Sequence, residues 1–257
     1  MPVVSDMRKE KASAMNHTEQ IGPFRLSWRD GVFPLSTDSV LLSYFATLRP
    51  RFRVCDLGCG AGAIPLLLLL RRGDLTVDGV ELQPEAAKAA RANVLENRLE
   101  ASVRIYQEDF REANRFLTPG WYDLVVSNPP YFLPGSGKTS PSIGKARARA
   151  ELCCSLPELC ASSRFLLRQR GRFALSFRPD RLAELFSALS QAGFAPKRLR
   201  FVHHRADKPP ALVLLESIRG GNPGLDCLPP LLLRREGGGE SMELSEIYQG
   251  LFRTRER

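Results

Sequence analysis

The residue types best suited to chemistry stand together in Asn128-Pro129-Pro130-Tyr131, directly after the apolar run 122–127. An amine on a planar ring or amide is a poor nucleophile because its lone pair is delocalised. The Asn128 side-chain oxygen and the Pro129 carbonyl can hold both amine hydrogens, and the prolines fix these acceptors in advance. Tyr131 offers a stacking face. The motif predicts a socket for a planar amine, with Asn128, Pro129 and Tyr131 as catalytic residues and no metal.

A glycine-rich turn and three acidic residues predict a nucleoside cofactor. The turn, residues 58–62, joins a short strand to a helix, and its missing side chains let a ligand approach the backbone. Asp56 precedes the turn, Glu81 ends the next strand, where a carboxylate can bind a ribose diol, and Asp109 follows the third strand. Three acids at three successive strand ends point to one ligand site. The glycines are Gly58, Gly60 and Gly62.

Two cofactors compete for this turn. Gly58, Gly60 and Ala63 also satisfy the glycine pattern of dinucleotide-binding folds, so the glycines alone leave NAD open. S-adenosylmethionine requires in addition an acid before the turn, a ribose-binding acid and an acid near the adenine, and the chain supplies all three. No residues in the second half suggest hydride transfer, and NAD would leave the amine socket without a role. The sequence therefore favours S-adenosylmethionine.

Alternating strands and helices must position these residues. From residue 53 the pattern reads strand, helix, strand, helix, strand, and a fourth strand ends at Ser127. Short loops between such elements require a parallel sheet with helices on both faces. We expect a fifth strand at 171–177 and two final, hairpin-like strands at 198–203 and 211–216.

The chain length of 257 residues suits one domain with appended ends. Residues 1–20 show no apolar periodicity, which predicts a flexible leader. Asp30-Gly31 within an alternating stretch predicts the turn of a short hairpin. The expected divisions are the leader (1–20), a catalytic domain (21–236, with the hairpin and a helix at 21–50) and a C-terminal tail (237–257).

The amino-acid composition narrows the kinds of binding partner and the cellular compartment that we expect. The formal net charge is +9 with a pI of about 9.6, a balance that favours a polyanionic partner such as nucleic acid. No apolar stretch reaches the roughly 20 residues that cross a bilayer, and no secretory signal is visible, so we expect a cytoplasmic protein. Six cysteines without paired spacing and three histidines do not form a zinc pattern.

At the socket and the turn, the chain resembles class I S-adenosylmethionine-dependent methyltransferases that carry an Asn-Pro-Pro-Tyr motif. The resemblance implies an α/β fold with a Rossmann-like, seven-stranded sheet, mostly parallel with the last strand antiparallel. It leaves several target amines open, namely adenine N6, guanine N2 or cytosine N4 in nucleic acid and a glutamine amide in release factors. DNA enzymes usually carry a target-recognition region and release-factor enzymes a helical N-terminal domain. Neither is visible here, which favours RNA.

The chain resembles, over nearly all of its length from Phe24 onward, the bacterial family that methylates adenine N6 at position 37 of a valine tRNA. The similar segments are 33–42, Asn128-Pro129-Pro130-Tyr131-Phe132, 148–151 and Tyr248-Gln249. One position departs from the family, because Ala150 stands where the relatives typically have histidine. A glutamine or rRNA guanine-N2 methyltransferase, and a non-catalytic RNA-binding protein of the same fold, remain as alternatives.

The resemblance also implies roles for residues that chemistry alone does not select. Asp38 would lie near the methionine end of the cofactor. Basic residues after the motif would close over a tRNA substrate. Together with the glycines and acids selected above, the predicted cofactor-binding set is Asp38, Asp56, Gly58, Gly60, Gly62, Glu81, Asp109 and Asn128. The implied substrate-binding set is Pro130, Phe132, Lys138, Lys145, Arg147 and Arg149.

Overall fold

The computed structural model describes residues 16–32, 35–129 and 155–252. The strands are β1 (Asn16–Ile21), β2 (Phe24–Arg29), β3 (Arg53–Leu57), β4 (Thr76–Val80), β5 (Val103–Tyr106), β6 (Tyr122–Ser127), β7 (Leu167–Phe177), β8 (Phe194–His203), β9 (Pro210–Arg219), β10 (Asp226–Cys227) and β11 (Leu231–Leu232). The helices are α1 (Thr37–Phe45), α2 (Ala63–Arg71), α3 (Pro84–Glu96), α4 (Leu156–Leu166), α5 (Leu182–Gln191) and α6 (Met242–Phe252). Two short 3-10 helices cover Phe110–Arg115 and Pro179–Arg181.

One central sheet contains every strand from β3 onward. Its order is β10-β8-β9-β7-β6-β3-β4-β5, and β11 also pairs with β8. The strands β5, β4, β3, β6 and β7 run parallel, whereas β9 is antiparallel to both of its neighbours, β7 and β8. Apart from the two-residue strands β10 and β11, this is the expected seven-stranded sheet with an antiparallel last strand, so the predicted fold is confirmed.

Local sequence explains the elements that carry the site. Helix α2 buries every residue from 63 to 69, because it is apolar all round and lies between the sheet and other helices. Helix α3 begins with Pro84 in its first turn and buries Ala86, Ala90 and Val94 on one face, the spacing of an amphipathic helix. Both helices follow strands whose carboxyl ends meet at the same edge of the sheet. Open α/β sheets bind ligands at that edge.

The N-terminal hairpin differs from the prediction. Its strands are β1 and β2, and its turn is at Gly22-Pro23, so Asp30-Gly31 instead follows the hairpin. Gly22 has φ +58°, a conformation that glycine adopts without strain, and this makes it the better turn residue. Residues 16–20 therefore form a strand and are not a flexible leader. Residues 1–15 lie outside the described residues, and the domain boundaries stay a prediction.

The C-terminal segment contributes to the core. Helix α6 lies within the predicted tail and buries Leu244, Ile247 and Leu251, whose spacing places them on one helical face. These side chains join the apolar cluster that includes α1 and α2. No helix in the described part of the chain is long and apolar enough to span a bilayer.

Candidate active site

The glycine turn after β3 is shaped by its backbone. Gly58, Gly60 and Gly62 have φ of +79°, +56° and +89°, which side-chain-bearing residues rarely adopt. The N–H groups of Gly58 and Cys59 donate to the Val80 carbonyl at 2.8 and 3.1 Å, which ties the turn to the end of β4. A Cβ added at Gly58 or Gly60 would meet no described atom within 4 Å. The turn therefore leaves open space beside its backbone, as the sequence predicts.

Glu81 connects the glycine turn to the carboxyl end of β4. Its carboxylate accepts a hydrogen bond from Gly60 N at 2.9 Å and another from Gln83 N at 2.8 Å. Burial raises the pKa of Glu81, although these backbone donors lower it. Each carboxylate oxygen has more than one lone pair, so the group can still accept hydrogen bonds from ligand hydroxyls. The position at the carboxyl end of β4 is the one expected for a ribose-binding acid.

Asp56 is the most unusual polar group of this edge. The residue is completely buried, and neither carboxylate oxygen has a hydrogen-bond partner within the described ranges. Burial, and then the neighbouring Glu81 carboxylate, raise the pKa of Asp56 well above its ordinary value. A buried carboxyl group without a partner is costly unless a ligand completes it. S-adenosylmethionine carries an ammonium group, a sulfonium and a ribose diol, and Asp56, Glu81 and the glycine turn fit such a cationic nucleoside.

Asp109 differs from the other two acids because its carboxylate already has a basic partner. It caps the 3-10 helix Phe110–Arg115 by accepting from Arg111 N at 2.9 Å, and both its oxygens contact Arg111 Nε at 3.0 and 2.9 Å. The Arg111 side chain lowers the pKa of Asp109. Arg111 also lies 3.6 Å from Glu158 of α4. A role of Asp109 at the adenine stays a prediction.

Asn128 lies at the end of β6, half-buried between two serines from different elements. Its Nδ2 donates to Ser39 Oγ of α1 at 3.1 Å, and its Oδ1 accepts a hydrogen bond from Ser176 Oγ of β7. The preceding residue, Ser127, donates through its hydroxyl to the Leu57 carbonyl at 2.7 Å. Leu57 is the last residue before Gly58, so the proposed amine socket and the glycine turn are neighbours. Asp38 is in the first turn of α1, beside Ser39.

The remaining predicted site residues lie outside the described residues. They are Pro130, Tyr131, Phe132, Lys138, Lys145, Arg147 and Arg149. Ala150, where the chain departs from its relatives, lies there too. Pro129 is described and half-buried at the same sheet edge as Asn128.

Sequence reasoning missed three polar side chains that organise this edge. Ser39 and Ser176 contact Asn128, as described above, and Asn93 of α3 donates to the Ala61 carbonyl of the glycine turn at 2.9 Å. Asn93 also donates to Ser27 O and accepts from Ser27 N, which fastens the N-terminal hairpin to α3. An asparagine on the otherwise apolar inner face of α3 was a visible signal. The serines gave no such signal, since buried serines are common.

Solved structures show which class of protein this architecture defines. A predicted O-methyltransferase from Agrobacterium tumefaciens aligns with a TM-score of 0.69 at 20% identity, over 85% of this chain and 98% of that chain. M. jannaschii TYW2, solved in complex with AdoMet, aligns with a TM-score of 0.54 at 12% identity, over 80% of this chain and 86% of that chain. At these identities the likeness concerns the fold alone. The fold is that of a class I methyltransferase.

Sequence comparison then gives the family. The family model of the methyltransferase small domain matches residues 34–146. The tRNA1(Val) (adenine(37)-N6)-methyltransferase of Dickeya chrysanthemi is 35% identical over 76% of this chain and 76% of its own length. The Yersinia enterocolitica enzyme of the same name is 33% identical over 85% of both chains. The chain belongs to this family of S-adenosylmethionine-dependent methyltransferases, and the resemblance predicted from its motifs is confirmed.

Proposed function

We propose that this protein transfers the methyl group of S-adenosylmethionine to the exocyclic N6 amine of an adenine in tRNA, at position 37 of the anticodon loop of a valine tRNA. The observation that carries the proposal is Asn128, an amide at the carboxyl end of β6 directly beside the glycine turn. The names of the relatives supply the adenine and the tRNA. The net charge of +9 supports a polyanionic substrate.

The cofactor, when bound, supplies an electrophilic methyl group on its sulfonium. The backbone of the glycine turn would lie against the cofactor, and Glu81 would accept hydrogen bonds from its ribose hydroxyls. Asp56 would face its cationic part, which would complete a buried carboxylate that otherwise has no described partner. Asp38 and Asp109 would border the methionine and adenine ends.

The target amine would be held by acceptors of this chain. Asn128 Oδ1 and the Pro129 carbonyl would each accept one of its hydrogens, which weakens the delocalisation of the lone pair and turns it toward the methyl group. Tyr131 would stack on the base, and the catalytic set would be Asn128, Pro129 and Tyr131. The nitrogen would gain the methyl group and become positively charged, and it would then release one of its two hydrogens as a proton to water. Because this cationic nitrogen is acidic, the proposed step calls for no metal or histidine base.

The basic residues beyond the socket would bind the phosphate backbone. Each neutralised phosphate releases counterions and adds affinity that falls as salt rises. Lys138, Lys145, Arg147 and Arg149 are the proposed contacts, together with Pro130 and Phe132 near the base. We therefore expect the KM for tRNA to rise steeply with salt concentration, whereas the affinity for the cofactor changes little.

The proposal is tested with purified protein, isotope-labelled S-adenosylmethionine and total tRNA from a strain that lacks the gene. Digestion to nucleosides is expected to place the label in N6-methyladenosine, and tRNA from the parent strain, already modified, is the control that accepts little label. Label in N2-methylguanosine or in protein glutamine would replace the proposal by one of the alternatives. Absence of any transfer despite cofactor binding would favour a non-catalytic RNA-binding role.

A further inference from the structure

The carboxamide of Asn128 has two orientations that differ only by exchange of its oxygen and nitrogen. Only the oxygen can accept a hydrogen from the target amine, since the amide nitrogen is a donor without acceptor capacity. An Asn128 that turned over would present N–H groups to the amine and repel it. Something in the site must therefore select one orientation.

On the nitrogen side, the selecting contact is Ser39. Asn128 Nδ2 donates to Ser39 Oγ at 3.1 Å, and Ser39 Oγ lies 3.0 Å from Ser36 Oγ. Ser36 is the N-cap of α1 and also accepts from Ser39 N at 3.1 Å. A Ser39 hydroxyl that points its proton at Ser36 Oγ offers its lone pairs to Asn128. In that arrangement of the two hydroxyls, Ser39 is an acceptor, which matches the amide nitrogen.

On the oxygen side, the selecting contact is Ser176. Its hydroxyl donates to Asn128 Oδ1, and the residue is completely buried near the end of β7. A carbonyl oxygen has two lone pairs, so Asn128 Oδ1 can accept from Ser176 and from one further hydrogen. The two serines come from opposite sides of the amide, one from a helix and one from a strand. Together, Ser39 and Ser176 contact the Asn128 amide at its nitrogen and at its oxygen.

We infer that Ser39 and Ser176 are positioning residues that fix the orientation of the Asn128 amide, so that one oxygen lone pair is presented to the target amine. The inference rests on the proposed function and deepens it. Neither serine contacts the reacting atoms in this role, and each acts through Asn128. Loss of either should slow the methyl-transfer step and leave cofactor binding intact.

The chain offers a matched control for each serine. Ser43 lies one helical turn after Ser39 in α1, is completely buried, and its hydroxyl has no partner among the described residues. Ser217 of β9 is likewise buried beside β7, and within the described ranges its hydroxyl is also without a partner. Ser43→Ala and Ser217→Ala therefore remove a buried hydroxyl from the same elements or their neighbours without touching Asn128.

The test is single-turnover methyl transfer to tRNA, combined with calorimetric titration of S-adenosylhomocysteine into each variant. Ser39→Ala and Ser176→Ala are expected to lower the transfer rate about 10-fold each, with cofactor affinity within about 2-fold of the wild type. Ser39→Thr, which keeps the hydroxyl, should restore most of the rate. The control variants should keep the wild-type rate. Transfer rates of the two alanine variants that equal those of their controls would overturn the inference.

A second measurement separates orientation from general packing. In an Asn128→Asp background the two carboxylate oxygens are equivalent, so there is no orientation to select. The serine-to-alanine changes should then cost less than about 2-fold, and an undiminished 10-fold loss there would overturn the inference. If the wild type itself transfers no methyl group to tRNA adenine, the proposed function fails. A wild type that is active but insensitive to both serine substitutions refutes only the positioning role.

Discussion

Two buried aspartates stand at opposite ends of neighbouring strands, and they differ in the hydrogen-bond partners that the described residues supply to their carboxylates. Asp123, at the amino end of β6, accepts from Arg53 N at 2.8 Å and pairs with Arg168 Nε at 2.6 Å. Asp56, at the carboxyl end of β3, is more deeply buried and has no hydrogen-bond partner among the described residues. The same residue type thus stabilises the fold at one edge, whereas at the other edge we propose that it binds the cofactor.

The comparison extends to the residues around each aspartate. The amino edge is closed by arginines, and Arg53 also lies 3.9 Å from the centroid of the Trp121 ring. The carboxyl edge has left-handed glycines, exposed backbone and Asn128 between two hydroxyls. Because most buried polar groups in folded proteins have a hydrogen-bond partner, we propose that ligand binding completes the carboxylate of Asp56, for which the described residues supply none.

The largest expected effect is at the carboxyl edge. Asn128→Ala should lower the rate of methyl transfer by about 10²–10³-fold, because it removes an acceptor that acts in the transition state. Cofactor affinity should change far less than the rate, because the glycine turn, Asp56 and Glu81 supply most of the proposed cofactor contacts. Single-turnover kinetics with tRNA measures the first quantity and calorimetry the second. Unchanged transfer by this variant would refute the role assigned to Asn128.

At the amino edge we expect a loss of stability and no loss of chemistry. Asp123→Ala should lower the free energy of unfolding by about 1–3 kcal/mol, because it leaves the Arg53 N–H and the arginine side chains without their acceptor. Chemical denaturation measures this change. Turnover per folded molecule should match the wild type, and a variant that is stable but inactive would break the contrast between the two edges.

For Asp56 we expect a change in the free energy of unfolding of the opposite sign. Asp56→Asn should raise the free energy of unfolding of the ligand-free protein by about 1 kcal/mol at neutral pH, because it removes a buried ionisable group while leaving a polar one. The measurement is denaturation without cofactor. Loss of stability in this variant would show that Asp56 has a structural partner like that of Asp123.

The smallest expected effect is the pH dependence of the stability difference between Asp56→Asn and the wild type. The pKa of Asp56 is raised in the folded state, so its contribution favours folding below the ordinary aspartate pKa and is lost as pH rises through the folded-state pKa. The stability advantage of Asp56→Asn should therefore shrink as pH falls toward about 4. Paired denaturation curves at several pH values measure this trend, and a constant advantage would contradict it.

The fold was predictable where the hydrophobic periodicity and the residues that end an element indicate the same boundaries. Apolar strands that end in glycine, acid or Asn-Pro gave β3, β4 and β6 with their carboxyl ends together, and the structure confirms this sheet. The hairpin turn was misplaced because Asp30-Gly31 and Gly22-Pro23 are both plausible turn pairs, and only the pairing of β1 with β2 decides between them. Local sequence does not show which residues pair across two strands.

The sequence indicated which residue types meet at the carboxyl edge of the sheet, but it did not indicate the contacts that support them. Asp56 and Glu81 could be selected by spacing, because each ends a strand. The Ser39 and Ser176 contacts join residues 89 and 48 positions away from Asn128, and no local pattern predicts such pairs. Arg111 shows a different limit. It stands only two residues after Asp109, but the spacing of strand ends alone treats Asp109 like Asp56 and does not include its pairing with an arginine.

The contrast between the two aspartates is tested most directly by the affinity for S-adenosylmethionine, measured by calorimetry on the wild type, Asp56→Asn and Asp123→Asn at neutral pH. Asp56→Asn should weaken binding by about 10–100-fold, the range for losing a charge-assisted hydrogen bond, whereas Asp123→Asn should stay within about 2-fold of the wild type. Equal affinities in the two variants would contradict the assignment of the unsatisfied aspartate to the cofactor.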